Sequence, residues 1–299
     1  MLAIALSLGF YGFKGGIFGI TTGGAYRVYG PRGSFIEENN ALAMALLMAI
    51  PLLFYLAGEE KRRWLKLTLV ATFALSLMSI ILTYSRGGFI GLVAVAFMFF
   101  LKLKRRLLWA SIGLVVVVLS LPLIPQRWYD RISSIQDYRY DRSVQGRFNA
   151  WGFAINVARV RPLNGGGFEV FHPEFFKILA PNPDDYHDAH SIYFEVLGEH
   201  GLPGLALFSA LLASCFLSLR KLRRSYGRVP SLEWVGRCAD MLSISLVAYC
   251  VSGAFLGLAY FDLYYHLVAM VIILKEVARR EYLALLEREA EESAELVAT

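Results

Sequence analysis

Apolar runs separated by short basic connections recur along almost the whole chain. Runs over residues 41–57, 67–84, 87–101, 107–124, 241–258 and 259–274, and one opening at Ile192 or Leu202 and closing at Leu219, are hydrophobic around their full circumference. Helices solvated by lipid show this pattern, because a helix packed on a soluble core keeps a polar side. A hydrocarbon core about 30 Å thick takes roughly 20 helical residues to cross, so each run predicts a membrane span. The last two runs abut, which predicts a tight hairpin. Residues 1–9 are apolar but too short to cross, and read as the end of a truncated span. A Gly-rich polar connection carrying Lys14 follows up to Asn40, where Asn39 or Asn40 can cap the next helix.

Composition narrows the class. The 299 residues are 57% hydrophobic and 18% charged, with mean hydropathy +0.50, whereas a soluble domain carries about 25% charged residues. The expected fold is an all-α polytopic membrane protein of about seven to eight transmembrane helices. It forms a single membrane domain over 1–299, with one large loop at 125–191 containing short amphipathic helices and a tail at 276–299. The net charge of +6 sits largely in short connections: Lys61, Arg62, Arg63 and Lys66, then Lys102, Lys104, Arg105 and Arg106, then Arg220 to Arg237. The positive-inside rule makes these cytoplasmic. Orientation thus explains the charge, and nucleic acid is not an expected partner. Counting spans places Arg86, the 125–191 loop and the 12–40 connection together on the opposite face. Cys215, Cys238 and Cys250 have no paired spacing, so neither a disulfide framework nor a metal motif is supported. The tail, alternating Leu and Ala with Glu and Arg, predicts a solvated or membrane-surface helix.

Against this background the polar segment 145–204 stands out. Arg86 lies between two apolar runs beside Gly87 and Gly88. It suits either an interfacial anchor or, with the close backbone approach that glycine permits, an anionic phosphate. Charges between Arg127 and Arg142 are expected to pair locally or solvate the loop. Arg147 opens a helical stretch over 146–160 and shares a face with Trp151, as on an amphipathic surface helix. Gly165, Gly166 and Gly167 form a turn that either cradles phosphate or sugar, or only turns the chain. The spacing of 182–190 matches no zinc or calcium motif. His190 directly precedes an apolar helix, at the mouth of the expected bundle, where an imidazole can accept a proton near neutral pH or simply cap the helix. Asp188 or Glu195 are candidates to orient it. Glu195 and Glu199 face a cavity or the membrane boundary, and Asp262 and His266 are expected to satisfy one another.

Taken in order, Ser85-Arg86-Gly87-Gly88, Gly146-Arg147 with Trp151, Pro162-Leu163 with Gly165-Gly166-Gly167-Phe168, His190-Ser191-Ile192-Tyr193-Phe194-Glu195, and Glu199-His200-Gly201-Leu202-Pro203-Gly204 resemble the O-antigen ligase and Wzy polymerase superfamily. Within it, Tyr26-Arg27-Val28, Gly33-Ser34-Phe35-Ile36 and Asn39-Asn40-Ala41-Leu42-Ala43 are similar to the O-glycosylation ligases associated with exosortase A systems. The resemblance implies a bacterial inner-membrane glycosyltransferase with a periplasmic active face. Such an enzyme moves a glycan from an undecaprenyl-pyrophosphate carrier to a protein, lipid or glycan hydroxyl, with no cofactor and no metal. His190 then corresponds to the catalytic histidine, and Arg86 and Arg147 to arginines that engage the pyrophosphate. Lys14, Arg27, Arg32, Gly87, Gly165, Gly166, Gly167, Asp188 and Glu195 are the expected substrate-binding residues, and membrane lipids are further partners. Family members carry more spans than this chain, so its N-terminal third is expected to be missing. A Wzy-type polymerase using the same donor, or a non-catalytic lipid-glycan transporter, are the alternatives.

Overall fold

A computed structural model describes residues 1–102 and 142–298. The expected span at 107–124 and the charges from Arg127 to Asp141 lie outside the described residues. Within them, every regular element is helical: α1 (Leu2–Thr21), α2 (Asn39–Glu59), α3 (Arg63–Leu82), α4 (Arg86–Lys102), α5 (Arg142–Val160), α6 (Pro173–Leu179), α7 (Ile192–Ser225), α8 (Glu233–Gly253) and α9 (Asp262–Ala298). Among the described residues five helices, α1, α2, α3, α7 and α8 with the turn before it, are long and apolar enough to cross a membrane. The class is therefore the expected one, an all-helical polytopic membrane protein. Helix α2 is its axis: packed against α1, α3, α4 and α8, it buries almost every residue from Ala41 to Leu53.

Residues 1–9 do not end as a run too short to cross, because α1 continues through Lys14 to Thr21. The glycines that suggested a connection lie instead on one helix face, at Gly9, Gly12, Gly16 and Gly19 with Gly15 beside them. A methyl group on Gly12 would sit 2.1 Å from Ser76 Oγ, and one on Gly16 2.4 Å from the Leu75 carbonyl oxygen. Small residues let membrane helices approach this closely, so these glycines weld α1 to α3. Lys14 points away from that seam and is exposed.

Three further expectations are corrected. Neither Asn39 nor Asn40 caps α2: the N-cap is Glu38, and Asn39 Nδ2 donates to the Thr83 carbonyl at 2.8 Å, stitching the start of α2 to the end of α3. Helix α5 does not merely lie on a surface: Ala150, Phe153, Ala154 and Val157 are buried with Val170, Phe171 and Phe176 in a second small core. Helices α8 and α9 are not a tight hairpin, since residues 254–261 intervene. Their apolar character suited a helix equally well, but they fold back, and Tyr249 Oη donates to the Ala259 carbonyl at 2.9 Å.

Pairings across the bundle define its two ends. At one, Lys102 and Arg223 bind Asp240 at 2.7 and 3.0 Å, and Arg237 binds Glu59 at 2.8 Å. The basic connections therefore gather together. At the other end meet the loop 22–38, the starts of α2, α4 and α7, helix α5 and the 254–261 strap.

Candidate active site

The loop before α2 is pinned at two points. Val28 N–H donates to the Leu82 carbonyl at 3.0 Å, and Tyr84 Oη donates to the Gly24 carbonyl at 2.5 Å. Tyr84 adopts φ 54°, an uncommon conformation for a bulky residue, and turns the chain from α3 into α4. Ser85 caps α4 by accepting from Gly88 N–H at 2.9 Å. A methyl group on Gly88 would lie 2.8 Å from Ala43 Cβ, so glycine lets the start of α4 approach α2.

These constraints shape a cavity of about 90 Å³ lined by Arg27, Arg86 and Arg147, with Gly87, Ser252 and Phe255 among its walls and no Asp or Glu among its described lining residues. Each water needs some ~10–15 Å³ on such a scale, so the space has room for a phosphate-sized group. Three guanidinium groups line it beside the N-terminus of α4, and guanidinium groups and helix N-termini both favour an anion. Ser252 is 3% exposed, and its hydroxyl has no hydrogen-bond partner among the described residues.

His190 lies beside this cavity. It carries φ 42°, a strained value whose cost is about 1–3 kcal/mol and which persists only where neighbours enforce it. Here the preceding peptide is gripped from both sides: Asp188 Oδ1 accepts from Ala189 N–H at 2.7 Å, and Trp151 Nε1 donates to the Ala189 carbonyl at 2.9 Å. The Trp151 ring stacks on Phe194 at 4.9 Å. Trp151 and Arg147 are one helical turn apart on α5, so the same helix that brings Arg147 to the cavity holds the histidine. Its register depends on Gly146, where a methyl group would meet the His187 ring at 2.2 Å. Asn149 completes the frame by donating to the Asn182 and Asp185 carbonyls at 2.7 and 2.8 Å.

Burial, above all, pushes the His190 pKa below its ordinary value; Arg147 and His187 push the same way, against Asp188 and Glu38. The imidazole is therefore neutral at neutral pH and available as a proton acceptor.

The 254–261 strap runs over this group. Phe255 and Leu256 line the cavity. At Gly257 an added methyl group would lie 3.1 Å from Asp188 Oδ2, 3.4 Å from His190 N and 3.6 Å from Glu195 Oε2. Ala259 N–H donates to Glu195 Oε2 at 3.0 Å. This strap was missed in the sequence because its apolar residues read as helix, and only Gly257 hinted at a break.

The structure thus brings together Arg27, Arg86, Gly87, Arg147, Asp188, His190 and Glu195. Lys14 and Arg32 are exposed and outside the cavity lining. The glycine turn also stands apart from it. Gly165, Gly166 and Gly167 N–H donate to the carbonyls of Arg161, Gly198 and Glu199 at 2.8–2.9 Å, which commits the first amide to the end of α5 and the other two to a clasp on α7. Asp262 and His266 do not pair through side chains: His266 Nδ1 bonds the Asp262 carbonyl oxygen at 2.7 Å.

Residues 71–209 match the family model Wzy_C, described as O-Antigen ligase. The matched segment contains Arg86, Arg147 and His190, and it supports the O-antigen ligase superfamily and a ligase- or polymerase-type role in glycan transfer. No curated protein matches the chain.

Proposed function

We propose that the chain transfers a glycan from an undecaprenyl-pyrophosphate carrier to an acceptor hydroxyl, with inversion and without a metal, on the periplasmic face of a bacterial inner membrane. His190 Nδ1 or Nε2 accepts the hydroxyl proton. The hydroxyl oxygen bonds to the anomeric carbon, and the bond from that carbon to the pyrophosphate oxygen breaks with its electron pair passing to the leaving group. Arg86 and Arg147, with Arg27 beside them, take up the negative charge that accumulates there, the electrostatic task a divalent cation performs elsewhere. Asp188 and Trp151 hold the base, and the carrier's polyprenyl tail, lying between helices, holds the pyrophosphate at the interface.

The observation that carries this reading is the pairing of a clamped, neutral His190 with Arg147 at the edge of an arginine-lined cavity. The grouping of Tyr26-Arg27-Val28 with the other N-terminal motifs supports a ligase of the exosortase-associated kind, and a ligase and a polymerase differ only in the acceptor. The test is reconstitution of the full chain in liposomes with a lipid-pyrophosphate-linked glycan and an acceptor, following product and released carrier pyrophosphate. Wild type is expected to transfer with or without chelator. A His190→Ala variant that still transfers would exclude the proposed base.

A further inference from the structure

Beyond His190, the same strap reaches a second group of side chains that the proposed chemistry leaves unused. Tyr260 Oη donates to Glu199 Oε2, and His200 Nε2 lies 2.9 Å from the same phenol oxygen. Glu199 is 6% exposed, and its other oxygen accepts from Glu169 N–H at 3.0 Å. Phe168 stands over the pair, edge-on to His200 at 4.8 Å and to Tyr260 at 5.7 Å, yet it is 71% exposed, with Tyr260 at 39%. Burial and then Glu199 push the Tyr260 pKa upward, so the phenol remains a donor. A buried carboxylate is costly, and here it orders a tyrosine and a histidine beneath an uncovered aromatic ring.

The order along the strap gives this group a direction. Phe255 and Leu256 face the arginine cavity, Gly257 faces His190, Ala259 binds Glu195, and Tyr260 binds Glu199. From Ile192 to Glu199 is roughly 10 Å along the helix axis. In an inverting transfer the pyrophosphate and the incoming hydroxyl lie on opposite sides of the anomeric carbon. With the arginines on one side of His190, the acceptor belongs on the other.

We infer that Phe168, Glu199, His200 and Tyr260 form an acceptor subsite that binds a sugar ring, so that the hydroxyl activated by His190 belongs to a glycan rather than to a protein side chain. The inference rests on the proposed transfer reaction. The apolar C–H face of a pyranose stacks on an exposed aromatic ring, while its hydroxyls pair with a carboxylate, a phenol and an imidazole. A peptide added as a strand instead needs free backbone groups. Those of the adjoining turn are spent, since the amides of Gly165, Gly166, Gly167 and Leu202 all donate to main-chain carbonyls.

The experiment separates this subsite from the catalytic reading. In the reconstituted full chain with a glycan acceptor, Phe168→Ala is expected to raise the acceptor KM about tenfold, the scale of one aromatic contact, and Tyr260→Phe to raise it by about the same factor, the scale of one hydrogen bond, each leaving the donor KM within about twofold. An unchanged acceptor KM in both variants overturns the subsite while leaving the proposed reaction intact. Binding is read independently of turnover in a Phe168→Trp variant that also carries His190→Ala, using methyl β-glycosides of glucose, galactose and N-acetylglucosamine. A saturable change in the added tryptophan's emission with any of these supports the subsite even if no transfer occurs. Quenching by brominated lipid together with silence towards all three sugars would make Phe168 a membrane anchor and overturn it.

Discussion

Arginine serves two different purposes at the two ends of this bundle. At one end Arg223 and Arg237 meet carboxylates head-on, and Asp240, 5% exposed, accepts both Lys102 and Arg223. There the charge is matched, the helices α4, α7 and α8 are tied together, and no cavity need exist. At the other end Arg27, Arg86 and Arg147 converge on a cavity with no acidic side chain among its described lining residues. Charge bound to carboxylates across helices ties the fold together; guanidinium groups gathered around a space can receive an anion. The comparison separates residues whose loss should cost activity from residues whose loss should cost stability.

The largest effect is expected at the active end. His190→Ala should lower the transfer rate by about 10²–10⁴-fold, the usual contribution of a positioned base, with unchanged thermal unfolding. Arg147→Gln or Arg86→Gln should each cost about 10²–10³-fold in kcat, as loss of one preorganised donor to a developing charge does. At the opposite end, Asp240→Ala should do the reverse. Turnover per folded molecule stays near wild type, while the stability of the purified protein falls by about 1–3 kcal/mol as Lys102 and Arg223 lose their partner. If Asp240→Ala abolished transfer in folded protein, the distinction between the two ends would collapse.

Smaller effects sharpen the comparison within the active end. Trp151→Phe keeps the ring on Phe194 but removes the donor to Ala189, and should lower kcat about tenfold with little change in donor KM. The acid limb of kcat/KM should fall below about 6.5, the ordinary histidine value, because the folded-state pKa of His190 is lowered. The base is then lost only when pH drops through that lowered value. Asp188→Asn removes a group that raises this pKa and should move the limb further acid. Arg147→Gln removes one that lowers it and should move the limb back up. A limb that ignores both changes would point to a different titrating group.

Much of the fold was legible because a membrane imposes its rule on every span: long, wholly apolar runs become helices, as at α2, α3 and α7. The legible part of the site was the ordered set around Arg86, Arg147 and His190. Less legible was anything that depended on which surface a residue meets. Gly12 and Gly16 read as loop residues, although their spacing of four was the available sign of a packed helix face. Gly165 to Gly167 offered amides to a phosphate in the sequence, whereas the fold spends those amides on the end of α5 and on α7. Residues 254–261 carry no charge to mark them as anything but helix, and their role emerged only from contacts with Asp188, Glu195 and Glu199.

The sequence by itself determined the class, most of the apolar helices and the ordered motifs that carry Arg86, Arg147 and His190, because hydrophobic period and ordered motifs are local properties. Only the tertiary structure decided that Arg27 joins Arg86 and Arg147 while Lys14 and Arg32 do not. It also decided that Trp151 grips the peptide before His190, and that a strap between the last two helices spans from the cavity to Tyr260. Those are relations between surfaces distant in the chain, and close packing, not periodicity, brings them into contact.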